Sequence, residues 1–140
     1  HGTPAWDDAE FDGPLGTDRT SGRRWVVSHG KSSRTLAHVF ARGPAHSLLR
    51  LRLRTGRTHQ IRIHLAHAGF PIVGEPYYRE PPCTLHPRQA LHAYELRFRD
   101  GRQPDVFVAP LPADLADLCD RLGLDAAAAG LRVAAADVGQ

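Results

Sequence analysis

Residues 47–54 show the clearest alternation of apolar and polar positions in the chain. Leu49, Leu51 and Leu53 alternate there with Arg50, Arg52 and Arg54. Because successive side chains of a strand point to opposite faces, this pattern predicts a half-buried strand whose arginines share one face. Further strand candidates are residues 25–28, 35–41, 91–99 and 105–108. Asp100-Gly101 lies between the last two and is typical of a hairpin turn, so those two strands are predicted to pair.

Two segments have the spacing of helices. Residues 58–68 carry apolar side chains at i, i+4 and i+7, namely Ile61, Leu65 and Ala68. Thr58 is a candidate N-cap and Gly69 a candidate C-cap, which predicts the limits of this helix. Residues 112–122 form the second candidate, with a proline at the start and apolar residues on one face. Gly123 is predicted to end it.

The remaining segments are rich in turn-forming residues. Residues 1–22 are predicted to be loop, with Trp6 and Phe11 as hydrophobic anchors, and residues 79–90 form a Pro-rich loop. Residues 123–140 are Ala-rich with weak patterning, and we expect a disordered tail there. Because strands outnumber helices, we expect an α+β fold, with a mixed, mostly antiparallel sheet and few helices.

Composition narrows the functional classes. Hydrophobic residues make up 41% of the 140 residues, enough for the core of one domain. No secretory signal is visible and no apolar run approaches the roughly 18–20 residues of a membrane span, so no membrane association is expected. The two cysteines, Cys83 and Cys119, form neither a disulfide framework nor a zinc-ligand spacing. They are typical of thiols in a reducing cytoplasm.

The net charge is a modest +3, and most of the basicity is arginine between residues 50 and 62. The alternating Arg50, Arg52 and Arg54 have two interpretations. One is an ordinary solvent-facing sheet surface. The other is a contact for RNA phosphates, which guanidinium groups match in geometry and whose neutralisation releases counterions.

Cations also crowd the start of the helix predicted at residues 58–68, where Arg57, His59 and Arg62 lie. The helix dipole is already positive at that end, so a cation at an exposed site there costs on the order of 0.3–1 kcal/mol. The segment is therefore either a solvated Arg-rich turn or a site for an anion, a carboxylate or a phosphate. His64 and His67 lie close by, but no His-Glu-x-x-His motif is present, and no functional metal is expected.

One continuous stretch carries a family resemblance: Gly56-Arg57-Thr58-His59-Gln60-Ile61-Arg62-Ile63-His64, followed by Gly69-x-Pro71-Ile72-x-Gly74 and Tyr78. It resembles the C-terminal signature of the RluA-type RNA pseudouridine synthases. Flanking segments resemble the same family: Pro14-Leu15-Gly16, Arg24-x-Val26, Gly30-Lys31 and Thr35 before it, and Leu91-His92-Ala93-x-x-Leu96 and Phe107-x-Ala109-Pro110-Leu111-Pro112 after it. The resemblance covers roughly residues 2–122.

This resemblance implies an enzyme that isomerises uridine to pseudouridine in rRNA or tRNA without cofactor or metal. The target nucleotide is flipped out of its stack, and a carboxylate attacks it. By resemblance Arg62 is the catalytic partner of that nucleophilic Asp, because a guanidinium keeps a carboxylate ionised. Arg57, His59 and Gln60 would line the site or contact RNA. Glu75 stands where the family usually has Asp, which changes the reach of the carboxylate.

The family's nucleophile lies in a His-Arg-Leu-Asp-x-x-Thr-Ser-Gly motif that this chain does not contain. Asp18-Arg19-Thr20-Ser21-Gly22 differs from it in spacing and lacks the preceding residues, so it is interpreted as a polar turn. The chain also contains no Met. We therefore expect residues 1–122 to be the C-terminal part of a catalytic domain that needs its N-terminal half and is inactive alone. The alternatives are a non-catalytic RNA-binding module of the same family and a histidine-dependent metal hydrolase.

Overall fold

The computed structural model of the chain describes residues 1–99 and 104–134. Its elements follow in the order β1 (Asp8–Phe11), β2 (Leu15–Thr17), β3 (Arg24–Val26), β4 (Thr35–Arg42), β5 (Ser47–Leu53), α1 (Gln60–His67), β6 (Glu95–Arg99), β7 (Pro104–Val108) and α2 (Ala113–Arg121). The α+β class predicted from the sequence is confirmed. The strands do not form one mixed sheet, however. They form three antiparallel sheets, β1-β4-β5, β2-β3 and β6-β7. Short connections favour antiparallel pairing, since a parallel pair needs a long crossover.

Strand β4 lies at the centre of the main sheet because its alternate side chains are buried. Thr35, Ala37 and Val39 are almost fully enclosed, while the residues between them are half-buried. β1 and β5 pair with its two edges, with Asp8 opposite His38 and His38 opposite Arg50. The predicted strand at residues 47–54 is confirmed as β5, and its arginines are exposed as expected.

The N-terminal segment predicted to be loop contains two strands. β1 pairs with β4, and β2 pairs with β3. Strands of three or four residues are too short for a clear alternation, and the partner of β1 is distant in sequence. The predicted anchors do pack: the Trp6 ring lies 6.0 Å from Phe11 and 5.9 Å from Phe70.

The hairpin of β6 and β7 is confirmed, with Leu96 opposite Phe107. Its predicted turn, Asp100-Gly101, lies outside the described residues. Leu96, Phe98 and Phe107 are each more than half exposed. At eight and nine residues, the helices of the described segments are too short to cross a bilayer.

Helix α2 packs in a buried hydrophobic cluster. Leu115, Leu118 and Cys119 are buried on the face predicted from their spacing. Leu124 and Ala126, in the segment expected to be a disordered tail, are buried in the same cluster. Apolar side chains of the segment 123–134 therefore pack against α2. Residues 135–140 lie outside the described residues, and the domain boundary at 122 stays a prediction.

Candidate functional site

Helix α1 carries the signature residues, and its start differs from the prediction. The N-cap is His59 rather than Thr58, with the left-handed φ of 56° and no side-chain capping bond. The Gln60 side chain stabilises this turn instead, because its Oε1 accepts hydrogen bonds from the Arg57 N–H (3.0 Å) and the Thr55 hydroxyl (2.8 Å). A positive φ at a residue other than glycine costs of order 1–3 kcal/mol and is concentrated at functional sites.

The predicted end of the helix is confirmed. Gly69 follows the C-cap with a φ of 85°. Its N–H donates to the Ala66 carbonyl (3.1 Å), and the Phe70 N–H donates to the Leu65 carbonyl (2.8 Å). This pair of bonds is the Schellman arrangement, which satisfies carbonyls at a helix end. The helix is thus limited to two turns between a left-handed residue and a glycine.

A buried polar network connects α1 to the main sheet. The Gln60 amide donates to the Thr35 hydroxyl (2.9 Å), and the Thr35 hydroxyl lies 2.9 Å from Nδ1 of His64. His64 Nε2 lies 2.9 Å from the Gly13 carbonyl. Because a carbonyl only accepts, the proton of the neutral His64 ring is on Nε2, and Thr35 donates to Nδ1. The network fixes the rotation of α1 about its axis.

The same network changes the interpretation of Gln60. We predicted that it lines the site or contacts RNA, but the residue is buried and its amide also donates to the Arg34 carbonyl at 3.0 Å. Its oxygen and its nitrogen each have two partners. Gln60 therefore has no remaining donor or acceptor for a base, and its observed role is to hold the turn that presents His59.

Arg62 forms a buried, two-pronged ion pair with Glu75. Arg62 Nε donates to Oε2 at 2.8 Å, and Nη2 donates to Oε1 at 2.7 Å. The Arg62 side chain is 10% exposed and that of Glu75 is fully enclosed. Glu75 Oε1 also accepts from the backbone N–H groups of Tyr77 (2.9 Å) and Tyr78 (3.2 Å). Both carboxylate oxygens of Glu75 therefore accept hydrogen bonds.

The environment of Glu75 keeps it ionised. Burial acts to raise the pKa of Glu75, but the hydrogen bonds from Arg62 and from the two backbone N–H groups dominate. The pKa consequently lies below its ordinary value. In the described part of the chain, Nη1 of Arg62 has no hydrogen-bond partner, so one edge of the guanidinium remains available.

Aromatic side chains cover the guanidinium. Its carbon lies 5.1 Å from the Tyr78 ring centre and 5.6 Å from that of Tyr77. Tyr77 and Tyr78 also line a cavity of about 230 Å³, together with Arg23, Arg24 and His59. The cavity therefore has aromatic walls that a planar base can stack on and two arginines in its lining, and Arg62 contacts both tyrosine rings.

His59 and Tyr78 form a neutral hydrogen-bonded pair in this wall, with 2.8 Å between Nδ1 and the hydroxyl. Burial and the charge of Arg62 lower the pKa of His59, and burial raises the pKa of Tyr78. Both side chains are thus uncharged at neutral pH. They can exchange hydrogen bonds with a base without adding charge to the site.

The other predicted residues lie outside this cavity. Arg57 is exposed, and its Nε donates to the Ser32 carbonyl at 3.2 Å. Arg50, Arg52 and Arg54 are exposed on or just beyond β5. Acidic residues lie on the same face of the sheet two strands away: Asp8 is in line with Arg50 across His38, and Glu10 is in line with Arg52 across Leu36. Their predicted contact with RNA stays a prediction.

Asp18 is confirmed as part of a local turn. Its carboxylate accepts from the Ser21 N–H (2.9 Å) and from the Ser21 hydroxyl (2.5 Å). Hydrogen bonds from the Ser21 hydroxyl and backbone lower the pKa of Asp18. Within the described residues, no group of three or more His, Cys, Asp or Glu side chains is arranged to hold a metal ion. The predicted absence of a functional metal stays a prediction.

Sequence reasoning missed two features of the site. It gave Glu75 no partner, although the position within the signature was noted. It also did not connect Arg24 or Tyr77 with Arg62. No local pattern shows that segments around 24, 62 and 77 meet, because their contacts are long-range in sequence.

Comparison with known proteins defines the class of protein to which this site belongs. The family model described as RNA pseudouridylate synthase matches residues 7–67, from the start of the main sheet to the end of α1. A solved structure, that of "Human RNA Pseudouridylate Synthase Domain Containing 1", has a similar fold, with a TM-score of 0.65 and 28% sequence identity. The match covers 78% of this chain and 50% of that one.

Curated relatives narrow the class further. The RNA pseudouridine synthase YlyB of Bacillus subtilis is 39% identical in an alignment of 125 positions that covers 87% of this chain and 41% of the relative. Ribosomal large subunit pseudouridine synthase D of Pseudomonas aeruginosa is 39% identical in an alignment of 134 positions that covers 82% of this chain and 41% of the relative. The chain belongs to the RluA-type RNA pseudouridine synthase family. It spans about two fifths of the length of these two relatives.

Proposed function

We propose that the chain supplies the arginine side of an active site that isomerises uridine to pseudouridine within RNA. The observation that carries the proposal is the Arg62–Glu75 pair. Glu75 holds two of the three guanidinium nitrogens from the buried side. Within the described residues the third nitrogen has no hydrogen-bond partner, and the guanidinium contacts the ring of Tyr78, which lines the cavity. Such an arrangement suits a second anion that approaches from the cavity.

That second anion is, by family resemblance, the nucleophilic aspartate. A guanidinium next to a carboxylate favours its ionised form, which is the nucleophilic one. Glu75 by itself would neutralise Arg62 and weaken this effect. Arg23 and Arg24 at the cavity and the positive N-terminal end of α1 therefore matter, because they maintain a positive potential where two carboxylates share one arginine.

RNA is the proposed partner, with one nucleotide unstacked into the cavity. Enzymes that act on a base inside nucleic acid extrude it, and aromatic side chains replace the lost stacking. Tyr77 and Tyr78 provide such surfaces here, and His59 provides a neutral hydrogen-bonding group. Both ribosomal and transfer RNA are compatible with these contacts.

One observation favours the second candidate, a non-catalytic RNA-binding module. The His-Arg-Leu-Asp motif is absent from the 140 residues, and the nearest substitute, Asp18, is engaged in its own turn. We therefore expect the 140 residues alone to form no pseudouridine in bulk ribosomal and transfer RNA. Pseudouridine detected by nucleoside mass spectrometry in that assay would show that a nucleophile lies within this chain.

The decisive experiment uses the complete protein encoded by the gene. An in-frame His-Arg-Leu-Asp motif upstream of His1, together with pseudouridine formation in unmodified ribosomal or transfer RNA transcripts, would support the catalytic function. RNA binding without pseudouridine formation, and without such a motif, would favour the binding module. A stoichiometric metal in elemental analysis would instead favour the histidine-dependent hydrolase.

We also propose that the protein acts in the cytoplasm. Cys83 and Cys119 are both free and buried, which suits a reducing compartment. Cell fractionation followed by immunoblotting would test this location.

A further inference from the structure

A second, larger concavity lies next to the tyrosine-walled cavity, and we call it the basic basin. It has a volume of about 680 Å³ and is bounded by the β2–β3 hairpin, the turn at 29–31 and the segment 56–58 that precedes α1. Its charged side chains are Arg19, Arg24, Lys31 and Arg57. The residues that line it include no carboxylate and no Phe, Trp or Tyr.

These four cations have no acidic partner. Within the residues that the structure describes, none of them takes part in a salt bridge. The neighbouring carboxylate of Asp18 is occupied by Ser21. Nε of Arg24 is buried without a hydrogen-bond partner. A buried donor without an acceptor is costly, and the described part of the chain supplies no acceptor for this nitrogen.

The frame that carries the cations is well defined. Leu15 and Lys31 exchange backbone hydrogen bonds of 2.9 and 2.8 Å. A Cβ atom at Gly30 would lie 2.6 Å from the carbonyl carbon of Leu15, so only glycine permits this approach. Arg57 is attached to the same turn through the Ser32 carbonyl. The positive groups are therefore brought together by the fold before any ligand binds, which lowers the entropic cost of binding.

We propose that the basic basin binds consecutive backbone phosphates of the RNA strand that continues from the nucleotide in the tyrosine-walled cavity. Arg24 lines both spaces and so connects them. Phosphates rather than bases are the ligand, because the basin offers guanidinium and ammonium groups and none of the Phe, Tyr or Trp rings that line the neighbouring cavity. This inference rests on the proposed function and deepens it, since it assigns the course of the strand outside the reacting nucleotide.

The test compares two charge-matched double variants of the complete protein. Arg19→Ala with Lys31→Ala removes two basin cations that are exposed and do not line the tyrosine-walled cavity. Arg121→Ala with Arg132→Ala removes two exposed cations at α2 and beyond it as the control. The probe is a fluorescent single-stranded oligouridylate, with affinity measured by anisotropy over a range of salt concentrations. Thermal unfolding of both variants should match the wild type.

We expect the slope of log affinity against log salt to fall by about 1.4 in the basin variant, because each phosphate contact on a single strand contributes about 0.7. The control should keep the wild-type slope. Equal slopes in all three proteins, or no binding of the probe by the wild type, would overturn the proposal that the basic basin binds RNA phosphates.

Pseudouridine formation by the wild-type protein is measured separately. If it is absent while the basin variant still loses salt dependence, the proposed function fails and the basin stands. If it is present while the slopes are equal, the basin fails and the proposed function stands.

Discussion

Arg62 and the β5 arginines lie within about a dozen residues of one another in the sequence, yet the structure treats them in opposite ways. Arg62 is buried and makes two hydrogen bonds to a fully enclosed carboxylate. Arg52 is exposed on a face of the main sheet, and Glu10 lies on the same face two strands away. The comparison teaches that arginine content does not reveal a site. Burial and the identity of the partner decide what a guanidinium does.

The energetic consequence of this difference is large. Removing one member of a buried ion pair leaves an uncompensated charge and typically costs about 3–5 kcal/mol. An exposed pair contributes about 0–1 kcal/mol. The charge of a buried guanidinium acts on one enclosed carboxylate and so affects the reaction rate. An exposed arginine is one of several phosphate contacts and so affects RNA affinity.

Arg62→Ala in the complete protein should lower the single-turnover rate of pseudouridine formation by about 100-fold or more, which corresponds to about 3 kcal/mol. RNA affinity should change by only a few fold, because one contact among several is lost. Arg62→Lys should restore only part of the rate, since an ammonium cannot form two parallel bonds to a carboxylate. If Arg62→Ala keeps the wild-type rate at saturating enzyme and loses affinity alone, Arg62 is a phosphate contact.

Glu75→Gln should destabilise the fold by about 3 kcal/mol at neutral pH, at the lower end for buried pairs because Arg62 stays slightly exposed. The pKa of Glu75 is depressed in the folded state, so its contribution is present above the ordinary value of 4.5 and is lost as the pH falls through the folded-state pKa. Denaturant unfolding of the wild type and the variant should therefore converge towards low pH. A difference in stability that stays constant with pH would show that the carboxylate charge does not matter.

Tyr78→Phe should reduce the single-turnover rate by less than about tenfold, because the ring that covers Arg62 remains and only the hydroxyl bonded to His59 is lost. Tyr78→Ala removes both and should be several-fold worse. Equal rates for the two variants would mean that the hydroxyl, and not the aromatic face, is the important group.

Arg52→Ala should give the smallest effect, with the salt slope of RNA binding reduced by less than the 0.7 expected for one phosphate contact. The reason is that Glu10, although paired with Arg34, lies on the same face of the sheet two strands away. Arg57→Ala, in the basic basin, is the matched comparison and should reduce the slope by about 0.7. A larger loss for Arg52 than for Arg57 would place the RNA strand over the β5 face instead.

Part of this molecule follows from local sequence alone. The alternation at residues 47–54 predicted β5, because one face of the strand is apolar over enough residues, and the strand candidate at residues 35–41 is confirmed as β4. Gly69 predicted the end of α1, because few residues other than glycine adopt its left-handed conformation readily. The signature around Arg62 was also sufficient to indicate the family.

The tertiary structure decided the rest. β1 exists because the distant strand β4 supplies its hydrogen bonds, and apolar residues after 123 are buried because they pack against α2. Glu75 becomes the partner of Arg62, and Gln60 becomes a structural group, only through contacts between separate segments. The sequence determined which residue types are available. Long-range packing determined which charges are buried together, because the desolvation that makes such pairs strong arises only when separate segments exclude water.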